Sequence, residues 1–138
     1  MHYRLGFLFA VCTVAGLIAV AAPGDANAQT TISPFKRTDL GMTNYPDDRH
    51  VCIQQLLVAP PNRDFPRLTH PGVEATTVLS GSLFLSVEGQ PDRLVKAGES
   101  FFIPPNVPHG GRTGPHGTRM VAVFIVEKDK PLVSPAPR

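Results

Sequence analysis

The stretch RLTHPGVEATTVLSG, residues 67–81, decides how this sequence folds. One histidine, His70, and one glutamate, Glu74, stand four residues apart with Pro71-Gly72 between them. A helix would also place them on one face, but proline, glycine and the β-branched run after Glu74 disfavour a helix. In a strand, the even spacing of His70 and Glu74 directs both side chains to the same face. Pro71-Gly72 is then a turn or bulge between them.

Short apolar runs bounded by proline and glycine continue after this stretch, and one precedes it. In the run 82–88, Leu83, Leu85 and Val87 alternate with Ser82, Phe84 and Ser86, which is the period of a strand with two different faces. The chain has 15 prolines and 12 glycines and no helical periodicity after residue 29. Many short strands with turns between them predict an all-β sandwich or barrel. We predict strands at residues 50–58, 74–80, 82–88, 93–97, 100–103 and 118–127.

The N-terminus has the order of charge, apolar run and small-residue site that is typical of a secretory signal peptide. His2 and Arg4 precede the apolar residues 5–22, and Ala26-Asn27-Ala28 follows a Pro-Gly break. The alternative is a permanent membrane anchor, for which the run is long enough. We expect a signal peptide at residues 1–28, cleaved after Ala28. The protein would then be periplasmic or secreted, with no stable membrane anchor.

The remaining chain divides into three parts. Residues 29–48 are polar and are expected to be an extended N-terminal arm, residues 49–130 the β-barrel domain, and residues 131–138, rich in proline, a flexible tail. The formal net charge of +2 is too small to suggest nucleic acid as a partner, and no basic stripe with interleaved aromatics is present. Cys52 loses its only possible partner with the signal peptide and, since it lies in an apolar run, is expected to be buried.

A second histidine can join the first pair. His109 follows the stiff loop Pro104-Pro105-Asn106-Val107-Pro108. Two imidazoles and a carboxylate form a ligand set suited to Fe(II), Mn(II), Ni(II) or Zn(II). Spacing alone leaves two interpretations open: His70, Glu74 and His109 converge on a metal, or they are two loop histidines and a solvated glutamate.

The other polar candidates are weaker. His50 beside Arg49 and His116 in the turn Gly114-Pro115-His116-Gly117 are expected to be solvated. Gln54 and Gln55 lie within an apolar strand, so one of them must face inward and could bind a pocket ligand. The sequence does not say which.

These motifs resemble those of a small single-domain bacterial cupin (cupin type 2 family). The first motif of that family has a glycine, His-x-His, three or four residues, Glu, six residues and Gly; Leu68-Thr69-His70, Glu74 and Gly81 fall on it. The second has Gly, five residues, Pro-x-Gly-x-x-His, three residues and Asn; Gly98 and Pro104 to Thr113 fall on it. The resemblance covers roughly residues 36–133. It implies a single cupin β-barrel of the double-stranded β-helix or jelly-roll type.

The sequence departs from these motifs at a ligand position. Leu68 stands where the family has the first histidine of His-x-His, while Asn106 replaces a turn glycine and Thr113 the closing asparagine. Asparagine tolerates the left-handed conformation, so that change is mild. The family's four-ligand set is therefore reduced to His70, Glu74 and His109, with Leu68 on the pocket wall. The resemblance implies a divalent transition metal on three ligands; the alternative is a barrel that binds its ligand without metal.

Two functions remain open at this point. One is a metalloenzyme of oxygenase, isomerase or lyase type that acts on a small polar molecule. The other is a non-catalytic module that binds a small molecule with weak or no metal. The fold does not select between them, because the same fold carries many functions. Small cupins commonly pair, so we also expect a homodimer formed through sheet edges and residues 29–48.

Overall fold

The computed structural model describes residues 34–136, and these form an all-β fold of antiparallel strands. None of the described segments is a helix of the length and apolarity that a membrane span requires. The signal peptide expected at residues 1–28 lies outside the described range. The strands are β1 (Lys36–Asn44), β2 (His50–Ala59), β3 (Asp64–Thr69), β4 (Gly72–Val87), β5 (Arg93–Lys96), β6 (Ser100–Ile103), β7 (His109–Glu127) and β8 (Ser134–Pro135).

The long strands β4 and β7 form the central ladder. They pair antiparallel from Gly72 beside Val126 to Val87 beside His109, with irregular register around Gly81. The second half of β7 also pairs with β2, and β1 lies on the other side of β2. The first residues of β7 pair with β3, which also pairs with β8, while β5 and β6 pair with β4.

Residues 68–72 close the barrel. Leu68 on β3 lies beside His109 at the start of β7, and Gly72 on β4 lies beside Val126 near its end. A straight strand would place His109 and Val126 about 56 Å apart, at roughly 3.3 Å per residue. The two pairing points, Leu68 and Gly72, are four residues apart in the chain and lie at most about 14 Å from each other. Strand β7 must therefore curl until its ends approach each other, and the segment that carries His70 joins them.

The core fills the barrel from the faces that the alternating pattern predicts. Leu83, Leu85 and Val87 are buried, whereas Phe84 between them is 50% exposed. Burying each such aliphatic side chain contributes about 1.5–3 kcal/mol to folding. Cys52, expected to be buried, is only half-buried, because the inward positions of β2 are those of Gln55, Leu57 and Ala59. The other buried core members are Phe65, Val78, Val95, Phe101, Ile103, Met120, Ala122, Phe124 and Val126.

Strands lie within both terminal segments that the sequence analysis set apart from the barrel domain. Within the expected arm, residues 29–48, the nine residues of β1 pair along β2, so the boundary drawn at residue 49 falls between two neighbouring strands. Within the expected flexible tail, residues 131–138, β8 pairs with β3. Both segments are polar or proline-rich and pair through backbone hydrogen bonds. Backbone pairing requires no apolar pattern, so the sequence does not reveal these strands.

Three further differences concern the strands themselves. Strand β3 was not predicted, since Pro66 and Arg67 interrupt its apolar pattern. Residues 74–80 and 82–88 form one strand, because Gly81, with φ of 74°, lets the chain bend there without ending the ladder. Strand β7 starts at His109 rather than Thr118, and residues 114–117, expected as a turn, are part of it but have no register partners on β4.

The closure point leaves no room for a side chain at Gly72. A Cβ there would lie 2.0 Å from the Ile125 carbonyl oxygen and 2.6 Å from the Val126 Cα. We expect Gly72→Ala to destabilise the fold by about 1–3 kcal/mol or more, which lowers Tm by about 4–8 °C per kcal/mol. Gly41→Ala is the matched control, because no atom lies within 4 Å of its added Cβ. Thermal unfolding measures both, and equal Tm values would contradict this account of the closure.

Candidate metal centre

Three side chains of the closure region meet inside the barrel. His70 Nε2 lies 3.1 Å and His109 Nε2 3.4 Å from Glu74 Oε2. All three residues are buried, and one ligand atom from each falls within 4.8 Å of the others. The structure therefore brings together the residues that the sequence analysis selected, and His70 and Glu74 share a face as their spacing predicts.

Backbone carbonyls orient both imidazoles. His70 Nδ1 lies 2.6 Å from the Leu132 carbonyl oxygen, and His109 Nδ1 lies 2.9 Å from that of Val107. A carbonyl oxygen only accepts, so Nδ1 donates in each case. In the neutral rings, Nε2 then carries the lone pair that faces Glu74. A second hydrogen bond that sets the tautomer in this way is characteristic of metal-binding histidines.

The carboxyl of Glu74 is held in its charged form. Burial alone would raise the pKa of Glu74, but hydrogen bonds with His109 and His70 outweigh burial and hold this pKa well below its usual range. The Thr76 hydroxyl donates to Glu74 Oε1 at 2.5 Å.

The hydrogen bonds to Glu74 use a proton on Nε2 of the imidazoles; without these protons, two nitrogen lone pairs and a carboxylate oxygen converge. Such a cluster needs a positive charge, supplied by a proton on Nε2 or by a cation. Two imidazoles and one carboxylate are ligands of divalent Fe, Mn, Ni and Zn, so the residues present fit a transition metal.

The cluster forms one wall of a small cavity. Its volume is about 30 Å³, which is room for one or two water molecules. Leu68, 3% exposed, lines it from the position directly opposite His109. Four lining residues are charged or titratable, Arg37, His70, Glu74 and His109, and the other lining residues are apolar: Phe35, Leu57, Phe65, Leu68, Leu83, Leu85, Phe101, Met120 and Phe124.

Sequence reasoning missed Arg37 and left the choice between two glutamines open. Gln55 faces inward and is buried, and Gln54 is exposed. Gln55 Oε1 accepts a hydrogen bond from Arg37 Nη1 at 3.3 Å, and Gln55 Nε2 donates to Asp39 Oδ1 at 2.8 Å. The parity of Gln55 with Leu57 was a usable signal for the glutamine. No signal marks Arg37, which lies in a polar segment.

The remaining histidines lie elsewhere. His50 Nδ1 lies 2.7 Å from Asp47 Oδ2 at the start of β2, and His116 is exposed on β7. Within residues 34–136, His70, Glu74 and His109 form the one cluster with metal-ligand spacing.

The match to a family model agrees with this architecture. The model of the cupin domain matches residues 55–126, which include all three residues of the cluster. The chain belongs to the cupin family. Strand β1 and the segment with β8 lie outside the match. In a separate comparison, no curated protein matches the sequence significantly.

Solved cupin structures share the fold at low sequence identity. The DMSP lyase DddQ from Ruegeria pomeroyi DSS-3 superposes with a TM-score of 0.64 at 21% identity, over 82% of this chain and 57% of its own. An RmlC-like cupin from Shewanella frigidimarina NCIMB 400 gives 0.58 at 24% identity, over 70% and 80%. Oxalate oxidase in complex with the substrate analogue glycolate gives 0.53 at 24% identity, over 62% and 52%. This cupin thus spans little more than half the length of DddQ, and at these identities the likeness concerns the fold.

The hydroxyl of Thr76 generates a prediction on stability. Thr76→Val keeps the shape of the side chain but leaves Glu74 Oε1 without this donor inside the barrel. We expect the free energy of unfolding to fall by about 1–3 kcal/mol. Thr77→Val is the control, because the Thr77 hydroxyl pairs with Ser100 at the surface, where a change stays within about 0.5 kcal/mol. Urea unfolding measures both variants. Equal losses in the free energy of unfolding would mean that the buried hydrogen bond stabilises the fold no more than the exposed one does.

Proposed function

We propose that this cupin binds a divalent transition metal through His70, Glu74 and His109 and is an enzyme that acts on a small polar molecule. The observation that carries the proposal is the orientation of the two imidazoles: backbone carbonyls hold each Nδ1, so both Nε2 atoms point at the carboxylate of Glu74. Two imidazole nitrogens and a carboxylate oxygen thus converge on one point. An ion placed there satisfies all of them.

The bound metal would supply a Lewis acid with open coordination positions for substrate. The protein residues contribute the surroundings. His70 and His109 are fixed by their carbonyl partners, Glu74 is held by Thr76, and most of the cavity lining is apolar. Leu68 keeps one side of the cavity dry where a fourth ligand would otherwise stand.

The reaction class is proposed as oxygenase, isomerase or lyase chemistry. Among the structures with the same fold, the lyase DddQ and oxalate oxidase are enzymes. Their names support catalysis in general as the function and do not select a reaction for this chain, because their identity to it is low.

A second function is a non-catalytic binding module. Two observations favour it: Leu68 replaces a ligand of the four-ligand cupin motif, and the cavity of about 30 Å³ is small for a substrate beside a metal. Elemental analysis of protein purified without a metal-scavenging tag separates the two. Stoichiometric Fe, Mn, Ni or Zn supports the enzyme, and its absence after reconstitution supports the binding module.

Metal affinity tests the three ligands directly. Because Leu68 lies opposite His109, Leu68→His would add an imidazole to the cluster and is expected to tighten Mn(II) or Ni(II) binding by about tenfold or more, the range that even outer partners of a metal site reach. His70→Ala is expected to abolish binding, since two ligands hold a divalent ion poorly. Isothermal titration calorimetry measures both.

His116→Ala is the matched control, because it removes an exposed imidazole outside the cavity. Its metal affinity should equal that of the unmodified protein. An unchanged affinity in His70→Ala, or no gain in Leu68→His, would refute the metal site.

The proposal includes export and pairing. Cleavage after Ala28 would release the protein to the periplasm or medium, and β1, an edge strand bonded only to β2 among residues 34–136, offers an edge for a second copy. On the exported protein, intact mass tests the cleavage and light scattering tests the pairing. We expect a chain starting at Gln29 and twice the monomer mass. A full-length chain in the membrane fraction would refute cleavage, and a monomer at micromolar concentration would refute pairing.

A further inference from the structure

One cationic side chain, that of Arg37, lines the cavity but forms no salt bridge with a carboxylate of residues 34–136. Arg37 projects from β1 into the cavity that the metal cluster also lines. No carboxylate of residues 34–136 lies within 4.0 Å of its guanidinium; the ion pairs of the other arginines, such as that of Arg67 with Glu88, are at the surface. Arg37 is half-buried, and removing even part of a charge from water without a partner is costly. The arrangement is therefore expected to serve a ligand.

The guanidinium is held from one side only. Its one hydrogen bond to a side chain goes to the neutral amide of Gln55. Asp39 accepts the other end of that amide, so the carbonyl oxygen of Gln55 must face Arg37. An arginine has five N–H donors, so most donors of Arg37 have no side-chain partner among residues 34–136. Gln55 is thus a positioning residue for Arg37.

Charge and burial act on this arginine in opposite directions. Burial lowers the pKa of Arg37, and the negative charge of Glu74 counteracts that effect. Arginine stays protonated in proteins, so the cavity has a fixed positive charge on the β1 side and the His70, Glu74 and His109 cluster on the other. Apolar side chains separate them.

We propose that Arg37 binds the carboxylate of a small organic acid whose remaining polar atom faces the cluster. A guanidinium fork matches a carboxylate with two parallel hydrogen bonds. Because the cavity measures only about 30 Å³, the ligand must be one of the smallest organic acids. A phosphate group fits less well, since Arg37 is the one lysine or arginine among the lining residues. This inference rests on the proposed function for the role of the cluster, but the arginine subsite can be measured without metal.

Glycolate and glycolamide provide the test, because they differ only in carboxylate against amide. Amide NMR titrations are run on metal-stripped protein and again with Zn(II) present. We expect the unmodified metal-free protein to bind glycolate at least about tenfold more tightly than glycolamide, as a charged hydrogen-bonded pair contributes that much. Arg37→Met should lose this preference. Arg37→Lys keeps the charge without the fork and should lose most of it. Arg119→Met removes an exposed arginine and should change nothing.

Each outcome decides for or against the inference. A glycolate preference that survives Arg37→Met overturns it. If that surviving preference needs Zn(II), the carboxylate binds the metal, and the proposed function stands while the subsite fails. If the preference depends on Arg37 and no metal binds at the cluster, the subsite stands and the metal proposal fails. Inorganic phosphate that binds as tightly as glycolate, and through Arg37, would overturn the assignment to carboxylates. The amide spectra also show whether each variant is folded.

Discussion

The closure of the barrel between residues 68 and 72 is the constraint on which the rest of the structure depends. Strand β7 pairs with β3 at its start and with β4 near its end, and these two pairings lie four residues apart in the chain. Glycine at position 72 is required because the backbone of β7 passes against it. The same short segment carries His70 and leads directly to Glu74. The geometry that closes the fold therefore also assembles the polar cluster.

The interior combines a dry core with a small group of strong acceptors. Below the cluster, side chains such as Phe124 and Ile103 are fully buried and exclude water. Electrostatic interactions are stronger in such surroundings than in water, and an unpaired polar group is correspondingly costly. Carbonyl partners on the imidazoles and the hydroxyl of Thr76 reduce this cost at every atom except those that face the centre of the cluster. Those atoms depend on a proton on Nε2 or on a cation between them.

Sequence patterns predicted the fold and the three clustered residues because these leave local signals. Alternation showed the faces of the run around Leu83, and motif spacing selected His70, Glu74 and His109. Strand β1 and strand β3 were missed, since their residues are mostly exposed or interrupted by Pro66, and strand formation there depends on neighbours far along the chain. Arg37 was missed for the same reason: its place in the cavity follows from the register of β1 on β2, which no local pattern encodes. The inward orientation of Gln55 could have been predicted, because this residue alternates in step with the buried apolar positions of β2.

The carbonyl of Leu132 has a consequence for the order of events during synthesis. His70 obtains its hydrogen-bond partner from a residue that leaves the ribosome after strands β1 to β7, and β8 holds that residue's segment against β3. The barrel wall can form earlier, but its imidazole then lacks the contact that selects its tautomer. A chain that ends before residue 132 would contain strands β1 to β7 but lack the carbonyl that accepts from His70 Nδ1. Residues 132–135 therefore contribute to the orientation of a side chain that the sequence places 62 residues earlier.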